Sequence, residues 1–298
     1  MTSAHYGHKI DAKEGYDIIE CEVCGFTHVS PLPSFEELDK FYKEAFYVTE
    51  RPTHFVQKQQ DEPWLNLQYA DRYDTFEQHL PIGRRNLLDV GAGAGYFLKY
   101  GQNRGWAVKG IEPSPQAVTY AQSMGVDQAV GYLTRDTAHQ LGTFDVIHAS
   151  LVLEHVPNPI ELIQIMYGML AEGGIICITT PNDYNPFQQT LREIDNYQPW
   201  WVCPDHHLNY FTPSSLQGLL EKQGFSIIQK ETSFPLDMFL LMGDNYVGNN
   251  TLGRECHHKR VRFETKLAAA GKNDLKRRLY QALAELDLGR EICIYAQK

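Results

Sequence analysis

A doubly wound α/β sheet is the fold that this 298-residue sequence predicts, and three observations lead to it. From Arg85 onward, short apolar runs alternate with helical stretches, as in parallel sheets. One buried run, Leu87–Val90, leads directly into a glycine-rich turn and then into a helix. The last apolar run follows its predecessor by about sixty residues, which is too long for a bare loop and predicts a helical insertion.

Composition limits the class of protein before any motif is considered. Hydrophobic residues make up 43% and charged residues 21% of the chain, which is ordinary for a globular protein. The 27 basic and 37 acidic side chains give a net charge of −10, which disfavours general nucleic-acid binding. No apolar run approaches the ~18–20 residues of a membrane span, and the N-terminus lacks the apolar stretch of a signal peptide. We therefore expect a cytoplasmic protein with no membrane segment.

The predicted elements follow one another along the chain, whose length suggests roughly two domains. Residues 1–34, rich in His, Cys and Pro, are expected to be irregular, and residues 35–80 show apolar side chains at helical spacing. Residues 81–298 form the α/β domain, with the helical insertion at 232–290. The predicted strands are Asn86–Val90, Ala107–Ile111, Phe144–Ala149, Ile175–Thr180, Phe225–Lys230 and Glu291–Ala296, with a weaker one at Gln128–Tyr132.

The turn after the first buried strand has the composition of a ligand-binding loop. Gly91, Gly93 and Gly95 permit positive φ and allow a ligand to approach the backbone closely. A dinucleotide fingerprint would place its third glycine where Tyr96 stands, which disfavours a nicotinamide-dependent oxidoreductase. Asp89, at the end of the strand, suits a cationic amino group better than an anionic pyrophosphate.

Glu112 ends the next predicted strand, 23 residues after Asp89. A carboxylate at that strand tip is placed to accept hydrogen bonds from both hydroxyls of a ribose. The alternative is that Glu112 caps the following helix with the help of Ser114. The spacing from the glycine turn favours the ligand-binding role.

Five segments in this order resemble the motif series of class I S-adenosylmethionine-dependent methyltransferases, over about residues 80–233. The segments are Leu87–Phe97, Gly110–Ser114, Phe144–Ile147, Leu153–Val156 and Glu172–Gly174. The resemblance implies a Rossmann-like sheet of seven strands whose last strand is antiparallel. It also implies S-adenosylmethionine as the cofactor.

The resemblance further implies which residues surround that cofactor. The glycines would line its methionine portion, Asp89 would reach its amino group, Glu112 would hold the ribose, and the stretch 131–133 would border the adenine. The end of the fourth strand would form the floor beneath the sulfonium. The implied cofactor residues are Asp89, Gly91, Ala92, Gly93, Gly95, Tyr96, Glu112, Pro113, Leu133, Ala149, Ser150 and Leu151.

An aromatic and histidine-bearing segment, residues 199–211, lies between the fifth and sixth predicted strands of the α/β domain. It is similar to the His-Leu-x-x-Phe stretch that precedes the last core helix in many small-molecule and glycan methyltransferases. That similarity implies His207 as general base or substrate ligand, with His206 as its neighbour. Alternatively, His207 packs against or caps the helix beginning near Thr212. Nearby aromatic side chains would either stack on a sugar or aromatic ring or belong to the core; they are Trp200, Trp201 and Tyr210.

Three further features each leave alternatives open. His155 is expected to be a helix-start residue rather than a catalytic one. The basic stretches His257–Arg262 and Lys276–Arg278 are either solvated helix faces or a clamp for a phosphorylated substrate such as a nucleotide-linked sugar. The pair Cys21 and Cys24 has the spacing of a zinc knuckle.

A structural zinc ion needs four ligands, and His5 and His8 are the expected partners of Cys21 and Cys24. The arrangement resembles the N-terminal zinc-binding segment of bacterial sugar C-methyltransferases, which use mainly cysteines at the positions of the two histidines. The weaker substitutes are His28 and His54. Without a metal, the cysteines would be free thiols in a flexible arm.

These observations favour a methyltransferase that acts on a small hydroxylated substrate. A sugar, nucleotide-sugar or glycan precursor is the expected acceptor, with O-methylation favoured. The alternatives are C-methylation of a deoxysugar and an RNA-binding or RNA-modifying protein.

Overall fold

The computed structural model describes residues 5–33, 38 and 54–298. The strands are β1 (Gly7–Lys13), β2 (Tyr16–Cys21), β3 (Thr27–Ser30), β4 (Asn86–Val90), β5 (Ala107–Glu112), β6 (Gln128–Val130), β7 (Phe144–Ser150), β8 (Leu170–Pro181), β9 (Asn209–Tyr210), β10 (Ser226–Thr232) and β11 (Glu291–Gln297). The helices are α1 (His54–His79), α2 (Tyr96–Asn103), α3 (Pro115–Ser123), α4 (Arg135–Leu141), α5 (Pro159–Met169), α6 (Pro186–Asp195), α7 (Pro213–Lys222), α8 (Asp237–Leu241), α9 (Asn250–Ala269) and α10 (Asn273–Glu285).

The large sheet has the strand order β10-β11-β8-β7-β4-β5-β6. Strands β4, β5, β6, β7 and β8 pair in parallel, whereas β11 runs antiparallel to both β8 and β10. The α/β prediction and the antiparallel last strand are therefore confirmed. The expected insertion before that strand is also present, and it contains α8, α9 and α10.

Both faces of the large sheet are covered, so its central strands are apolar on both sides. Leu88 and Ile147 point into one core cluster, while their neighbours Leu87 and Val146 point into the other. Successive residues of a strand face opposite sides, which explains this division. Helix α1 covers the second face with Tyr73, which is fully buried in that cluster.

The expectation that residues 1–34 are irregular is wrong, because β1, β2 and β3 form an antiparallel sheet there. Its fourth strand is β9, in which Tyr210 pairs with Thr27 and Asn209 pairs with His28. The partner strand lies about 180 residues away, so local patterning could not reveal it. Of the helical extension predicted at 35–80, residues 35–37 and 39–53 lie outside the described residues, as does the side chain of His54.

Among residues 5–33, 38 and 54–298, none of the helices combines the length and the apolar character of a bilayer span.

Candidate functional site

Three neighbouring parallel strands end at the same edge of the large sheet. Val90 at the end of β4 pairs with Ile111 of β5 on one side and with Ala149 of β7 on the other. The glycine turn, Glu112 and Leu151 therefore follow these strands side by side. Open α/β sheets bind ligands in a crevice at such carboxyl ends.

The glycine turn has a conformation that side chains would oppose. Gly91 has a φ of 69°, and a Cβ added there would lie 2.5 Å from Cγ2 of Val152. Gly95 caps the N-terminus of α2 with a φ of 77°, and a Cβ there would lie 2.8 Å from that of Ala121. The turn thus brings bare backbone to the crevice. Its carbonyl at Gly93 accepts a 2.8 Å hydrogen bond from Nε2 of Gln128, a brace that the sequence analysis missed.

Glu112 is buried beside this turn and is held by two backbone amides. Its Oε2 accepts a hydrogen bond from the Gly93 N–H at 3.0 Å, and its Oε1 accepts one from the Ser114 N–H at 2.9 Å. Ser114 itself caps α3 by accepting from Ala117 N–H. Each carboxylate oxygen of Glu112 keeps a lone pair, so the group can still accept from two ribose hydroxyls. Burial raises the pKa of Glu112 to about 7, against the opposing effect of the two amide hydrogen bonds.

Asp89 lies on β4 and points toward α1 rather than into open solvent. Its Oδ1 lies 2.6 Å from Nδ1 of His148, and Nε2 of the same ring lies 3.1 Å from Nη1 of Arg72. The sequence analysis missed both His148 and Arg72. Among the described residues, Oδ2 of Asp89 receives no hydrogen bond.

Strand β7 ends at Ser150, beside the strand that leads into the glycine turn, and Leu151 follows it. Leu151 has a φ of 57°, an unfavourable backbone conformation for a leucine, and its large apolar side chain is 41% exposed. Such strain at a sheet edge points to function. Ser150 is half-buried, whereas Ala149 is fully buried and contributes to the sheet core.

The remaining implied cofactor residues surround the same turn. The hydroxyls of Tyr96 and Tyr120 are 2.7 Å apart, which fixes the start of α2. Leu133 is buried, and Ala92 and Pro113 are half-buried.

A second group of polar side chains includes residues that closely follow Leu151 in the chain. Glu154, His155 and His207 bring three ligand-type atoms within 4.8 Å of one another. Val152, which contacts the glycine turn, connects this group to the crevice along the chain. Burial raises the pKa of Glu154 to about 8.

The orientation of His155 in that group follows from its hydrogen bond. Its Nδ1 lies 2.7 Å from the carbonyl oxygen of His206, and a carbonyl only accepts, so Nδ1 carries the proton. The imidazole of His206 lies 2.8 Å from Oδ1 of Asp205 and thus has a carboxylate partner.

The N-terminal sheet carries a third group, formed by His5, Cys21, Cys24 and His28. Nδ1 of His5 lies 3.1 Å from Nε2 of His28, 3.7 Å from Sγ of Cys21 and 3.3 Å from Sγ of Cys24. A tetrahedron around zinc has edges of about 3.3–3.8 Å, given the usual bond lengths to nitrogen and sulfur. The observed separations therefore suit a tetrahedral ion.

His28, and not His8, is the fourth member of this group, which corrects the sequence analysis. His8 pairs with Glu20 on the exposed side of the sheet, because strand residues alternate between faces. Nδ1 of His28 lies 2.7 Å from the Val29 carbonyl oxygen and so carries the proton, which directs the Nε2 lone pair at the group.

The two histidine groups are joined through β9. Asn209 pairs with His28, and its side chain donates to the carbonyls of Leu153 and Val156 at 2.8 Å each. The backbone carbonyl of Glu154 accepts from the Asn209 amide. The N-terminal sheet thus supports the segment that carries His207.

The aromatic side chains near this segment are largely core. Trp201 and Tyr210 are buried in a cluster with Ile18 and Val29 of the N-terminal sheet, and Trp200 packs against it. The burial of Trp201 and Tyr210 favours the core alternative over stacking on a sugar or aromatic ring.

The central charges of the two basic stretches have partners inside the protein, which favours the helix-face alternative over a phosphate clamp. Lys276 is buried, with Nζ 2.6 Å from Oδ2 of Asp71, and Nε of Arg277 lies 2.8 Å from Oε1 of Glu231. The Arg260 guanidinium stacks over Trp64 at 4.7 Å.

Comparison with known proteins shows what this chain is similar to. A family described as "Methyltransferase domain" matches residues 52–230, which is more than half of the chain. The ubiquinone biosynthesis O-methyltransferase of Chromobacterium violaceum is 28% identical over 152 residues, covering 49% of this chain and 62% of that protein. Its counterpart from Caulobacter vibrioides is 31% identical over 151 residues, covering 47% of this chain and 59% of that protein. The chain spans about three fifths of the length of these relatives.

Solved structures share the fold. A methyltransferase dependent on S-adenosylmethionine from Archaeoglobus fulgidus gives a TM-score of 0.54 at 16% identity, covering 82% of this chain and 99% of that one. The plantazolicin methyltransferase BpumL, solved with S-adenosylhomocysteine, gives a TM-score of 0.52 at 16% identity, covering 88% of this chain and 94% of that one. At these identities the similarity shows the fold alone.

Proposed function

We propose that this chain, which belongs to the methyltransferase-domain family, uses S-adenosylmethionine to methylate a hydroxyl oxygen of a small molecule. The observation that carries the proposal is the shared edge of the sheet. There, the glycine turn, Glu112 and Leu151 lie close to residues 152–155. The side chains of Glu154 and His155 in that segment are grouped with His207. The names of the two relatives, both O-methyltransferases, favour oxygen over nitrogen or carbon as the acceptor atom.

The residues of the crevice fit the proposed cofactor. The two amide-bound oxygens of Glu112 would accept the ribose hydroxyls, and Oδ2 of Asp89 would accept the ammonium of the methionine portion. A Cβ at Gly91 would fill the cradle between the turn and Val152, which accounts for glycine at this position. The other residues that we propose to line the cofactor are Ala92, Gly93, Gly95, Tyr96, Pro113, Leu133, Ala149, Ser150 and Leu151.

The cofactor supplies an activated methyl group on a sulfonium when it is bound. The protein's task is then to hold the acceptor oxygen in line at about 3 Å and to remove its proton. We propose His207 as the general base, because an imidazole exchanges protons near neutral pH and the ring lies in the group with Glu154 and His155. His206 would be its neighbour, tied to Asp205.

The acceptor that we propose is a small hydroxylated molecule. The internal partners of Lys276 and Arg277 disfavour a phosphate clamp there, and the burial of Trp201 and Tyr210 disfavours stacking on a sugar. The relatives' names also favour a ring-bound hydroxyl rather than a glycan precursor.

The base is tested by turnover and binding measured on the same variants. We expect His207→Ala to lower kcat by about 10²–10⁴-fold with catechol as acceptor, because general-base catalysis contributes on that order. The dissociation constant for S-adenosylhomocysteine should change by less than about twofold, since His207 is not among the proposed cofactor contacts. His8→Ala, an exposed histidine outside both groups, is the control and should match the parent. Parental turnover in His207→Ala would exclude this base, and methylation of a free hexose but not of catechol would exclude the ring-hydroxyl acceptor.

We also propose that His5, Cys21, Cys24 and His28 bind one structural zinc ion. The donor set of two sulfurs and two nitrogens is typical of structural zinc sites, and the separations fit a tetrahedron. Burial, together with the hydrogen bond and charge of Cys21, raises the pKa of Cys24 to about 12. A bound cation would reverse that effect by stabilising the thiolate.

Metal content decides between the two histidines that the sequence left as candidates. The purified parent should contain about one zinc ion per chain, and His28→Ala should lose it because a tetrahedral structural site needs four protein ligands. His8→Ala, on strand β1 of the same sheet, is the matched control and should retain the ion. Zinc lost from His8→Ala and kept in His28→Ala would refute the assignment.

A further inference from the structure

We infer that His148, fixed by Arg72, is a positioning residue that orients Asp89 toward the ammonium group of the cofactor's methionine portion. The inference rests on the proposed cofactor site and concerns residues that the motif resemblance does not include. Its starting point is the pair Asp89 and His148, which face each other on the neighbouring strands β4 and β7. Both side chains are almost wholly buried, at 3% and 1% exposure.

The direction of the hydrogen bonds follows from Arg72. A guanidinium has donors and no acceptor, so Nη1 of Arg72 donates to Nε2 of His148 across 3.1 Å. Nε2 therefore carries no proton, and the neutral ring holds its proton on Nδ1. That proton is donated to Oδ1 of Asp89 across 2.6 Å. The two hydrogen bonds thus run in one direction, from Arg72 to His148 and from His148 to Asp89, and the carboxylate is the final acceptor.

Packing keeps the imidazole in this position. The ring of His148 lies over the ring of Phe97 with centroids 4.0 Å apart and an interplanar angle of 30°. Phe97 belongs to α2, the helix that begins at the glycine turn, and the Arg72 guanidinium lies 5.9 Å from the same ring. The imidazole therefore cannot turn away without disturbing the helix that follows the turn.

The arrangement leaves Asp89 with one oxygen bound and one oxygen to offer. Among the described residues, Oδ2 receives no hydrogen bond, and a buried carboxylate is costly without a donor or a cation. An ammonium group supplies both. Because Oδ1 is tied to His148, Oδ2 is held in one orientation before the cofactor arrives. Helix α1, which carries Arg72, is then part of the cofactor site and not merely a cover for the sheet.

The affinities for two ligands distinguish a positioning role of His148 from a merely structural one. S-adenosylhomocysteine carries the amino-acid portion, whereas 5′-methylthioadenosine has the same adenosine thioether without it. We expect His148→Leu to weaken S-adenosylhomocysteine binding by about 10–100-fold, the usual loss for a hydrogen bond to a charged group. Binding of 5′-methylthioadenosine should change by less than about threefold. His148→Asn, which keeps a donor near the Nδ1 position, should recover part of the affinity for S-adenosylhomocysteine.

The variants and control are measured by calorimetry on the full chain. Arg72→Met removes the donor to Nε2 of His148 and should selectively weaken S-adenosylhomocysteine binding by a smaller factor, about 3–10-fold. If His148→Leu does not fold, Arg72→Met and His148→Asn show whether His148 positions Asp89. Glu112→Gln should weaken both ligands, since both contain the ribose. Equal loss of both ligands in the His148 and Arg72 variants, or no loss of either, would overturn the inference. Absence of binding of both ligands to the parent would instead overturn the proposed cofactor site.

Discussion

The substitution Gly91→Ala tests the glycine turn at its tightest point. At a φ of 69° a residue with a Cβ pays about 1–2 kcal/mol for the left-handed conformation. The new methyl would also lie 2.5 Å from Cγ2 of Val152, and an overlap of this kind costs typically about 1–3 kcal/mol. Together these effects predict a loss of about 2–5 kcal/mol in the cofactor-bound fold.

That loss is divided between two measurable quantities. If the turn keeps its shape in Gly91→Ala, the folded state is strained, and urea unfolding of the unliganded protein gives a lower free energy of unfolding. If the turn shifts instead, the strain is relieved, and the free energy of S-adenosylhomocysteine binding becomes less favourable. The sum of the two losses, from denaturation and calorimetry, should therefore equal about 2–5 kcal/mol. Gly168→Ala is the control, because Gly168 lies within α5 and a Cβ there meets nothing within 4 Å. We expect it to be neutral or slightly stabilising.

A companion substitution separates the two causes. Val152→Ala in the Gly91→Ala background removes the clashing methyl and should restore about 1–3 kcal/mol, leaving the backbone contribution. The reasoning fails if Gly91→Ala matches the parent in both stability and binding. It also fails if removing the Val152 methyl restores nothing.

Two further predictions concern buried charge. Burial raises the pKa of Glu112 to about 7, so the unliganded parent should lose more stability than Glu112→Gln as pH rises from about 4.5 through 7. Over the same range the parent's affinity for S-adenosylhomocysteine should rise as the carboxylate forms, and this rise should be smaller in Glu112→Gln; identical pH profiles of parent and variant would contradict both expectations. Lys276→Ala leaves Asp71 buried without its cation and should cost about 3–5 kcal/mol in urea unfolding. The matched change Lys259→Ala removes an exposed partner of Asp244 and should leave the free energy of unfolding nearly unchanged, so equal losses in the two variants would refute the argument.

The order of elements in the large sheet was predictable from the sequence. Apolar runs such as Leu87–Val90 are visible because a strand buried on both faces excludes polar residues along its length. The glycine turn was visible because Gly91 and Gly95 occupy positions where other residues are opposed by the backbone or by neighbours. Glu112 was predictable because the end of a parallel strand defines its place relative to the turn.

The N-terminal sheet shows where local pattern fails. The choice between His8 and His28 depends on which face of a strand is buried, and that face is defined by β9, contributed by Asn209–Tyr210. Neither the spacing of Cys21 and Cys24 nor the composition of residues 1–34 contains that information.

Side-chain partners far apart in the chain were decided by the tertiary structure alone. Asp89 meets His148 across 59 residues, His148 meets Arg72 across 76, and Lys276 meets Asp71 across 205. By itself the sequence determined the elements of the large sheet, the glycine turn and the carboxylate at its side, because these depend on local conformational preference and on periodic burial. Strand register and helix packing determined which polar groups share a buried space, since distant segments become neighbours only when the chain has folded.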